Sequence, residues 1–222
     1  MNKNSYRNII VLFILVGCLS MYFVEAVVSP SYFYKSVMKI ILFGGLYLIF
    51  NKISSSMEFK NKISFKFSKS YLLLGVFVYA LILLAYIVAK NFYDFSAVLD
   101  SLDEINVNKE NFIFVAVYIS LVNSLLEETF FRKLGFLYLK EVSSTRFAAV
   151  FSALMFSAYH ISIIEGWFSP VLFVLIIIAL FICGLFFNYI DYRNNSSMPS
   201  WIIHISANLS INTIGLYLFM KA

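Results

Sequence analysis

Two adjacent carboxylates, Glu127 and Glu128, lie at the end of a long apolar run, where charged side chains are rare. An ionised group at mid-bilayer costs ~2.5–3.5 kcal/mol on insertion scales, so such residues face a bundle interior and have partners. Glu128 and Arg132 are four residues apart and share one helical face, which predicts a buried ion pair. Glu127 has no obvious partner nearby in the sequence. One of these two glutamates can therefore serve as a general base.

The only two histidines of the chain also fall in apolar runs, His160 in the fifth and His204 in the seventh. Taken alone, each is more typical of a hydrogen-bonded packing residue than of a catalyst. Phe156 lies one helical turn before His160 and can cover a face of its ring. Asn208 and Asn212 continue the face of His204, a polar stripe that must find partners inside the bundle. Only the combination of carboxylate, two imidazoles and carboxamide on three spans indicates chemistry.

The composition shows what kind of scaffold must position these groups. Of 222 residues, 61% are hydrophobic and 13% are charged, which is typical of a membrane protein.

The first apolar run resembles a signal peptide but is interpreted as a retained span. The segment 133–142 either continues the fourth helix or lies along the cytoplasmic interface. We expect an all-α, polytopic transmembrane helix bundle in one integral membrane domain over residues 1–222, with about seven spans and a range of six to eight. At roughly 20 residues per span, the spans are 8–28, 33–50, 71–90, 111–131, 146–163, 168–190 and 199–219.

The net charge of +5 does not indicate nucleic acid, because the basic residues lie between apolar runs. The lipid bilayer with its anionic headgroups is the expected partner. A cytoplasmic N-terminus places eleven basic residues inside and five outside, with Arg132 buried, as the positive-inside rule favours. Cys18 and Cys183 lie in apolar runs and take no part in the mechanism. The predicted inner residues are Lys3, Arg7, Lys52, Lys60, Lys62, Lys66, Lys69, Lys133, Lys140, Arg146 and Arg193, and the outer ones are Lys35, Lys39, Lys90, Lys109 and Lys221.

Three short motifs carry a family resemblance. "EETFFR" at 127–132 fits EExxxR, "FSAYH" at 156–160 fits FxxxH, and "HISAN" at 204–208 fits HxxxN. In this order the chain resembles the CAAX-protease and bacteriocin-processing (CPBP, or Abi) family of intramembrane endopeptidases, over a motif-bearing core at 111–219. The resemblance implies hydrolysis of a peptide bond in a membrane-associated peptide or protein precursor, of the CAAX-like or the bacteriocin and pheromone type. A small peptide precursor is the preferred substrate class, and a bacterial plasma membrane is the preferred location.

The resemblance also implies roles for individual residues. Glu127 would activate water as the general base, and His160 would help to orient that water. His204 and Asn208 would stabilise the oxyanion, and imidazole and carboxamide N–H groups are suitable donors for that task. The supporting residues are Glu128, Arg132 and Phe156, of which the first two would hold Glu127 in place.

Several alternatives stay open. The metal-free reaction requires no cofactor, whereas Glu127, His160 and His204 are alternative zinc ligands with an open position for water. A catalytically idle member would act by binding, either in self-immunity to a bacteriocin or as the regulator of a membrane sensor kinase, so a membrane sensor or transporter is a further partner. A proton-coupled transporter also carries buried carboxylates and histidines, but it would more usually show inverted repeats, which the sequence lacks.

Overall fold

The computed structural model describes residues 2–54 and 68–221, and within these residues the chain is helical and contains no strand. Seven helices are long and apolar enough to cross a membrane, and one short helix lies between the third and the next of them. This confirms the predicted all-α polytopic bundle. The helices are α1 (Lys3–Val28), α2 (Tyr32–Ile53), α3 (Lys69–Ala89), α4 (Ser96–Glu104), α5 (Phe112–Val142), α6 (Thr145–Ile164), α7 (Pro170–Asn194) and α8 (Met198–Lys221).

Local capping signals set several of the helix starts. The Asn2 side chain accepts a hydrogen bond from the Ser5 backbone N–H before α1. Ser144 does the same for the Phe147 N–H before α6. Pro170 opens α7, where a proline has no hydrogen bond to lose. These caps satisfy backbone donors that apolar surroundings would otherwise leave unpaired.

The second half of α5 forms the centre of the bundle. Phe130, Phe131 and Leu134 are fully buried, and this half of the helix packs against α1, α6 and α7. The helix runs without a break to Val142. The segment 133–142 therefore continues the span, and the alternative of an interfacial segment is wrong.

Two of the π-helical segments lie next to the predicted catalytic residue Glu127, and a third lies next to Lys39. Ile119–Asn123 and Glu128–Tyr138 flank the single α-helical turn that carries Glu127, and Ile40–Gly44 begins directly after Lys39. A π-helical turn holds one more residue than an α-helical turn, so it rotates the side chains that follow, and such turns are frequent at functional sites. The hydrophobic periodicity of the sequence does not indicate them.

Two of the lysines that were assigned to the outside of the membrane are buried in the bundle. Lys35 and Lys39 lie within α2 and are 9% and 5% exposed. Lys60, Lys62 and Lys66, which were predicted to be inside, fall outside the described residues.

The helix α3 lies at the edge of the bundle and packs on α8. A methyl group at Gly75 would collide with the Ser206 side chain, so the two helices approach closely there. Ser210 donates to the Tyr79 carbonyl, and the Tyr79 hydroxyl lies 2.9 Å from the Thr213 hydroxyl. These contacts hold one face of α8 and leave another face for α5.

Candidate active site

Glu127 is 2% exposed and occupies the last position of the α-helical turn Ser124–Glu127 in α5. Its Oε1 accepts a hydrogen bond from the Lys39 ammonium at 2.5 Å and another from Asn123 Nδ2 at 2.9 Å. Lys39 also donates to Asn123 Oδ1 at 2.5 Å, which closes a three-membered network. No partner of Glu127 was evident from the sequence, and the structure supplies a cation from a different helix.

The other oxygen of Glu127 faces both histidines. Oε2 lies 3.7 Å from His204 Nε2 and 4.0 Å from His160 Nε2. These three side chains come from α5, α6 and α8, so the structure brings together groups separated by up to 77 positions in the sequence. A carboxylate oxygen and two imidazole nitrogens facing one point form an arrangement that can hold and deprotonate a water molecule.

His160 lies at a turn near the end of α6, and its ring is fixed from two sides. Nδ1 donates to the Phe156 carbonyl at 2.7 Å, because a carbonyl oxygen can only accept. Phe156 packs edge-on against His160 with ring centroids 4.7 Å apart, and its centroid lies 6.1 Å from that of His204. The predicted cover of His160 by Phe156 is present, and it extends to the second histidine.

Glu128 connects His204 to Arg132. Its Oε1 lies 2.9 Å from His204 Nδ1, and its Oε2 lies 3.4 Å from Arg132 Nε. The predicted Glu128–Arg132 ion pair is therefore present. The contact with His204 was not predicted, and it gives Glu128 a second task besides pairing with Arg132.

Arg132 is fully buried between aromatic rings. Its guanidinium carbon lies 4.2 Å from the Phe156 ring centre and 5.4 Å from that of Phe187. Within residues 2–54 and 68–221, none of its side-chain nitrogens has a hydrogen-bond partner of good geometry. The two rings and the nearby Glu128 carboxylate therefore stabilise this charge without direct hydrogen bonds.

Asn208 lies one turn after His204 on α8, and the structure places its carboxamide against α5. Its Nδ2 donates to the Ile119 carbonyl at 3.1 Å, at the start of a π-helical segment. Asn212 donates to the Ala116 carbonyl and to the Ser120 hydroxyl, both at 3.2 Å. The polar stripe of α8 thus holds this helix against α5, the helix that also carries Glu127.

Sequence reasoning missed Lys39, Asn123 and Tyr159 as neighbours of Glu127. The Lys39 ammonium lies over the Tyr159 ring at 4.7 Å from its centre, and Tyr159 is buried. A signal for Lys39 was present, because a lysine within the apolar run "SVMKIILFGG" is costly in lipid and must find an anionic partner. Asn123 carried the same kind of signal, four residues before Glu127.

The residues of the alternative zinc site do not fit a metal ion well. The Lys39 ammonium already contacts the Glu127 carboxylate, and a divalent cation on the same carboxylate would be repelled by it. Among the described residues, no group of three or more histidine, cysteine, aspartate or glutamate side chains is arranged to hold a metal.

Comparison with known proteins supports one family. Residues 109–210 match the model of the type II CAAX prenyl endopeptidase Rce1-like family, and this range contains Glu127, His160, His204 and Asn208. No curated protein and no solved structure matches the chain significantly. Lys39 and the rest of α1 to α3 lie outside the matched range. Over residues 109–210, this multi-pass membrane chain is therefore similar to the Rce1-like CAAX protease family of intramembrane proteases.

Proposed function

We propose that the chain is an intramembrane endopeptidase in which Glu127 activates water to hydrolyse a peptide bond. One observation carries this proposal: Glu127 Oε2 lies 3.7 Å and 4.0 Å from the Nε2 atoms of His204 and His160, inside a bundle of apolar helices. Hydrolysis within a membrane requires a few convergent polar groups that hold water, and this cluster provides them.

The first step is deprotonation of water by Glu127. A water molecule that donates one proton to Oε2 lies within reach of both imidazoles. Because His160 Nδ1 donates to the Phe156 carbonyl, the neutral ring presents Nε2 as an acceptor for the second water proton. His160 therefore orients the water. As the water oxygen attacks the carbonyl carbon, its proton passes to Glu127, which later delivers it to the leaving amine nitrogen when the C–N bond breaks.

The oxyanion that forms on the carbonyl oxygen is assigned to His204 and Asn208. With its Nδ1 proton held by the Glu128 carboxylate, His204 can donate from Nε2 only while the ring carries both protons. Asn208 uses one N–H on the Ile119 carbonyl, and its Nδ2 carries a second hydrogen for the oxyanion. Glu128 and Arg132 serve as supporting residues, since they hold the His204 ring rather than contact the substrate.

We propose that this reaction needs no metal ion. The Lys39 ammonium neutralises the Glu127 carboxylate, and its charge would repel a divalent cation on that group. The zinc alternative makes a different prediction: phenanthroline would abolish cleavage and added zinc would restore it. For the metal-free reaction, we expect the cleavage rate in membranes to stay within about twofold of that without chelator, a difference of under 0.5 kcal/mol.

The proposed substrate is a small membrane-associated peptide precursor of the bacteriocin or pheromone type, with a CAAX-like protein as the other member of the class. The proposed location is a bacterial plasma membrane, with the N-terminus in the cytoplasm as the charge bias favours. We propose one integral membrane domain over 1–222 with the motif-bearing core at 111–219, because α1 and α2 pack directly on α5.

The test compares membranes that contain equal amounts of the wild-type protein or of the Glu127→Gln variant. Mass spectrometry of the peptide termini in the membrane fraction should find termini that depend on Glu127. The glutamine keeps an oxygen for Lys39 and Asn123, so we expect the variant to fold. Identical sets of termini would overturn the protease function for this chain and favour the catalytically idle binding role in immunity or sensor regulation.

A further inference from the structure

The first transmembrane hairpin, α1 and α2, lies outside the range of the family match, yet it delivers one charged group to the candidate site. Lys39 of α2 is 5% exposed. Its ammonium contacts Glu127 and Asn123 of α5 and lies 5.6 Å and 4.7 Å from the ring centres of Phe43 and Tyr159. Of these, only Phe43 belongs to α2 itself.

The geometry of these contacts is asymmetric with respect to the Glu127 carboxylate. Both donors, Lys39 Nζ at 2.5 Å and Asn123 Nδ2 at 2.9 Å, bind the same oxygen, Oε1. Because Lys39 and Asn123 also bind each other, the two donors cannot shift independently. Oε1 is thereby occupied, and Oε2 is the oxygen that faces His204 and His160.

The position of Lys39 in the chain suits this task. The π-helical segment Ile40–Gly44 starts at the next residue and packs against α5, with Phe43 stacked on Phe130 at 4.0 Å between ring centres. A rigid aromatic stack thus fixes α2 directly beside the ammonium. A glutamate has three rotatable side-chain bonds, so a fixed partner is required to hold its carboxylate in one orientation.

A second ion pair on the same helix shows what a purely structural pair looks like. Lys35 lies one turn before Lys39, and its ammonium is 2.6 Å from Glu25 Oε2. The two side chains of that pair are each 10% exposed, compared with 6% and 3% for Lys39 and Glu127. Neither histidine is among the ion-pair partners of Glu25 within the described residues. Lys35 therefore provides a control for the loss of a lysine from α2.

We propose that Lys39 is a positioning residue for the hydrolytic reaction: together with Asn123 it holds Oε1 of Glu127 so that Oε2 faces His160 and His204. The inference rests on the proposed function, since it assigns Lys39 a role only if Glu127 is the base. It makes α2, which carries no family motif, a part of the catalytic apparatus. Loss of Lys39 lowers turnover by letting the carboxylate rotate, and it leaves substrate binding nearly unchanged.

The test measures kcat and KM in purified proteoliposomes. The probe is a fluorophore–quencher peptide that spans the most abundant cleavage shown to depend on Glu127, with a farnesylated CAAX peptide as a second probe. For Lys39→Met we expect kcat to fall about 100-fold, the effect of a small misplacement of a catalytic group, with KM within about twofold. Lys39→Arg should recover most of the lost turnover, because arginine also donates to the carboxylate.

Two further variants keep the test decisive. Lys35→Met should keep kcat within about twofold of wild type, since its pair does not contact the base. Asn123→Ala removes one donor and keeps the ion pair, so it should fold even if Lys39→Met does not, and we expect about a tenfold lower kcat.

Wild-type kcat in Lys39→Met or in Asn123→Ala, while Glu127→Gln is inactive, would overturn the role of Lys39 and leave the proposed function intact. Equal losses in Lys35→Met and Lys39→Met would overturn it too, because both would then reflect stability alone. Activity in Glu127→Gln would instead overturn the proposed function itself.

Discussion

Glu127 and Glu128 are neighbours in the sequence, yet they belong to two different parts of the site. Glu127 is bound by α2 through Lys39, and its free oxygen faces the two histidines. Glu128 points to α8 through His204 and carries the buried Arg132 on its other oxygen. Both carboxylates are at most 2% exposed, so burial does not distinguish them. Their partners do.

One apolar bundle can thus give two adjacent carboxylates separate tasks. Glu127 has one oxygen occupied by donors and one oxygen that faces the two histidines. Glu128 has both oxygens directed at protein groups, so it has none to offer a substrate. We therefore expect Glu127 variants to change activity more than stability, and variants of Glu128 or its partner Arg132 to change both.

The largest effect should come from Glu127→Gln. General-base catalysis contributes roughly 10²–10⁴-fold. We expect the loss of cleavage at the upper end of that range because, among the described residues, no other carboxylate forms an ion pair with the Nε2 atoms of the two histidines. Membrane abundance should fall less than in Arg132→Ala, since the amide oxygen still accepts from Lys39 and Asn123. Quantified peptide termini at matched abundance measure the loss. If the variant accumulated as poorly as Arg132→Ala, the distinction between the two glutamates would be wrong, because Glu127 would then be structural like Glu128.

The next largest effect separates Asn208 from Asn212. Both donate to backbone carbonyls of α5, so each alanine variant should lose about 0.6 kcal/mol of interhelical hydrogen bonding. Only Asn208 is assigned to the oxyanion, and removal of an oxyanion donor lowers kcat by about 10²–10³-fold. We expect that loss for Asn208→Ala and a kcat within about twofold of wild type for Asn212→Ala. Equal kcat values in the two variants would remove Asn208 from the chemistry and leave it as a helix contact.

Local patterns in the sequence were sufficient to predict much of this molecule. Hydropathy predicted the seven spans because lipid forces every spanning segment to satisfy its backbone internally. Spacing of four residues predicted the Glu128–Arg132 pair and the ring of Phe156 beside His160. In each case the two partners lie within one helix, so their contact follows from helical geometry alone.

Such local patterns could not predict the contacts between helices. Lys39 and Glu127 are 88 positions apart, and Glu128 and His204 are 76 apart, so no local rule pairs them. The π-helical segments that aim Lys39 and Glu127 do not alter the apolar composition of their spans. The short helix α4 was missed because it is polar and lies between two spans. These features depend on how the helices pack, which is why Glu127 could be singled out from the sequence and its contact with Lys39 could not.

The third prediction addresses the stability of the Glu128 side. Arg132→Ala strands the Glu128 carboxylate, and breaking a buried pair on one side costs about 3–5 kcal/mol. We expect a clear drop in membrane abundance and in the thermal unfolding midpoint, together with lower activity. Adding Glu128→Gln to this variant removes the stranded charge and should recover part of the abundance. If Arg132→Ala accumulates normally and cleaves at the wild-type rate, the supporting role of the pair is wrong.

The smallest effect should come from the aromatic cover of the site. The Phe156 ring lies 4.2 Å from the Arg132 guanidinium carbon and packs on His160, and a desolvated cation–π contact is worth about 2 kcal/mol. Phe156→Leu keeps an apolar side chain and removes the ring, so thermal unfolding in detergent should report a loss of that size. Phe187→Leu is the matched control, because its ring is farther from the guanidinium, at 5.4 Å. The loss in the control should therefore be smaller. A larger loss at Phe187 than at Phe156 would show that packing on α7, rather than cover of the charge, holds the Glu128 side in place.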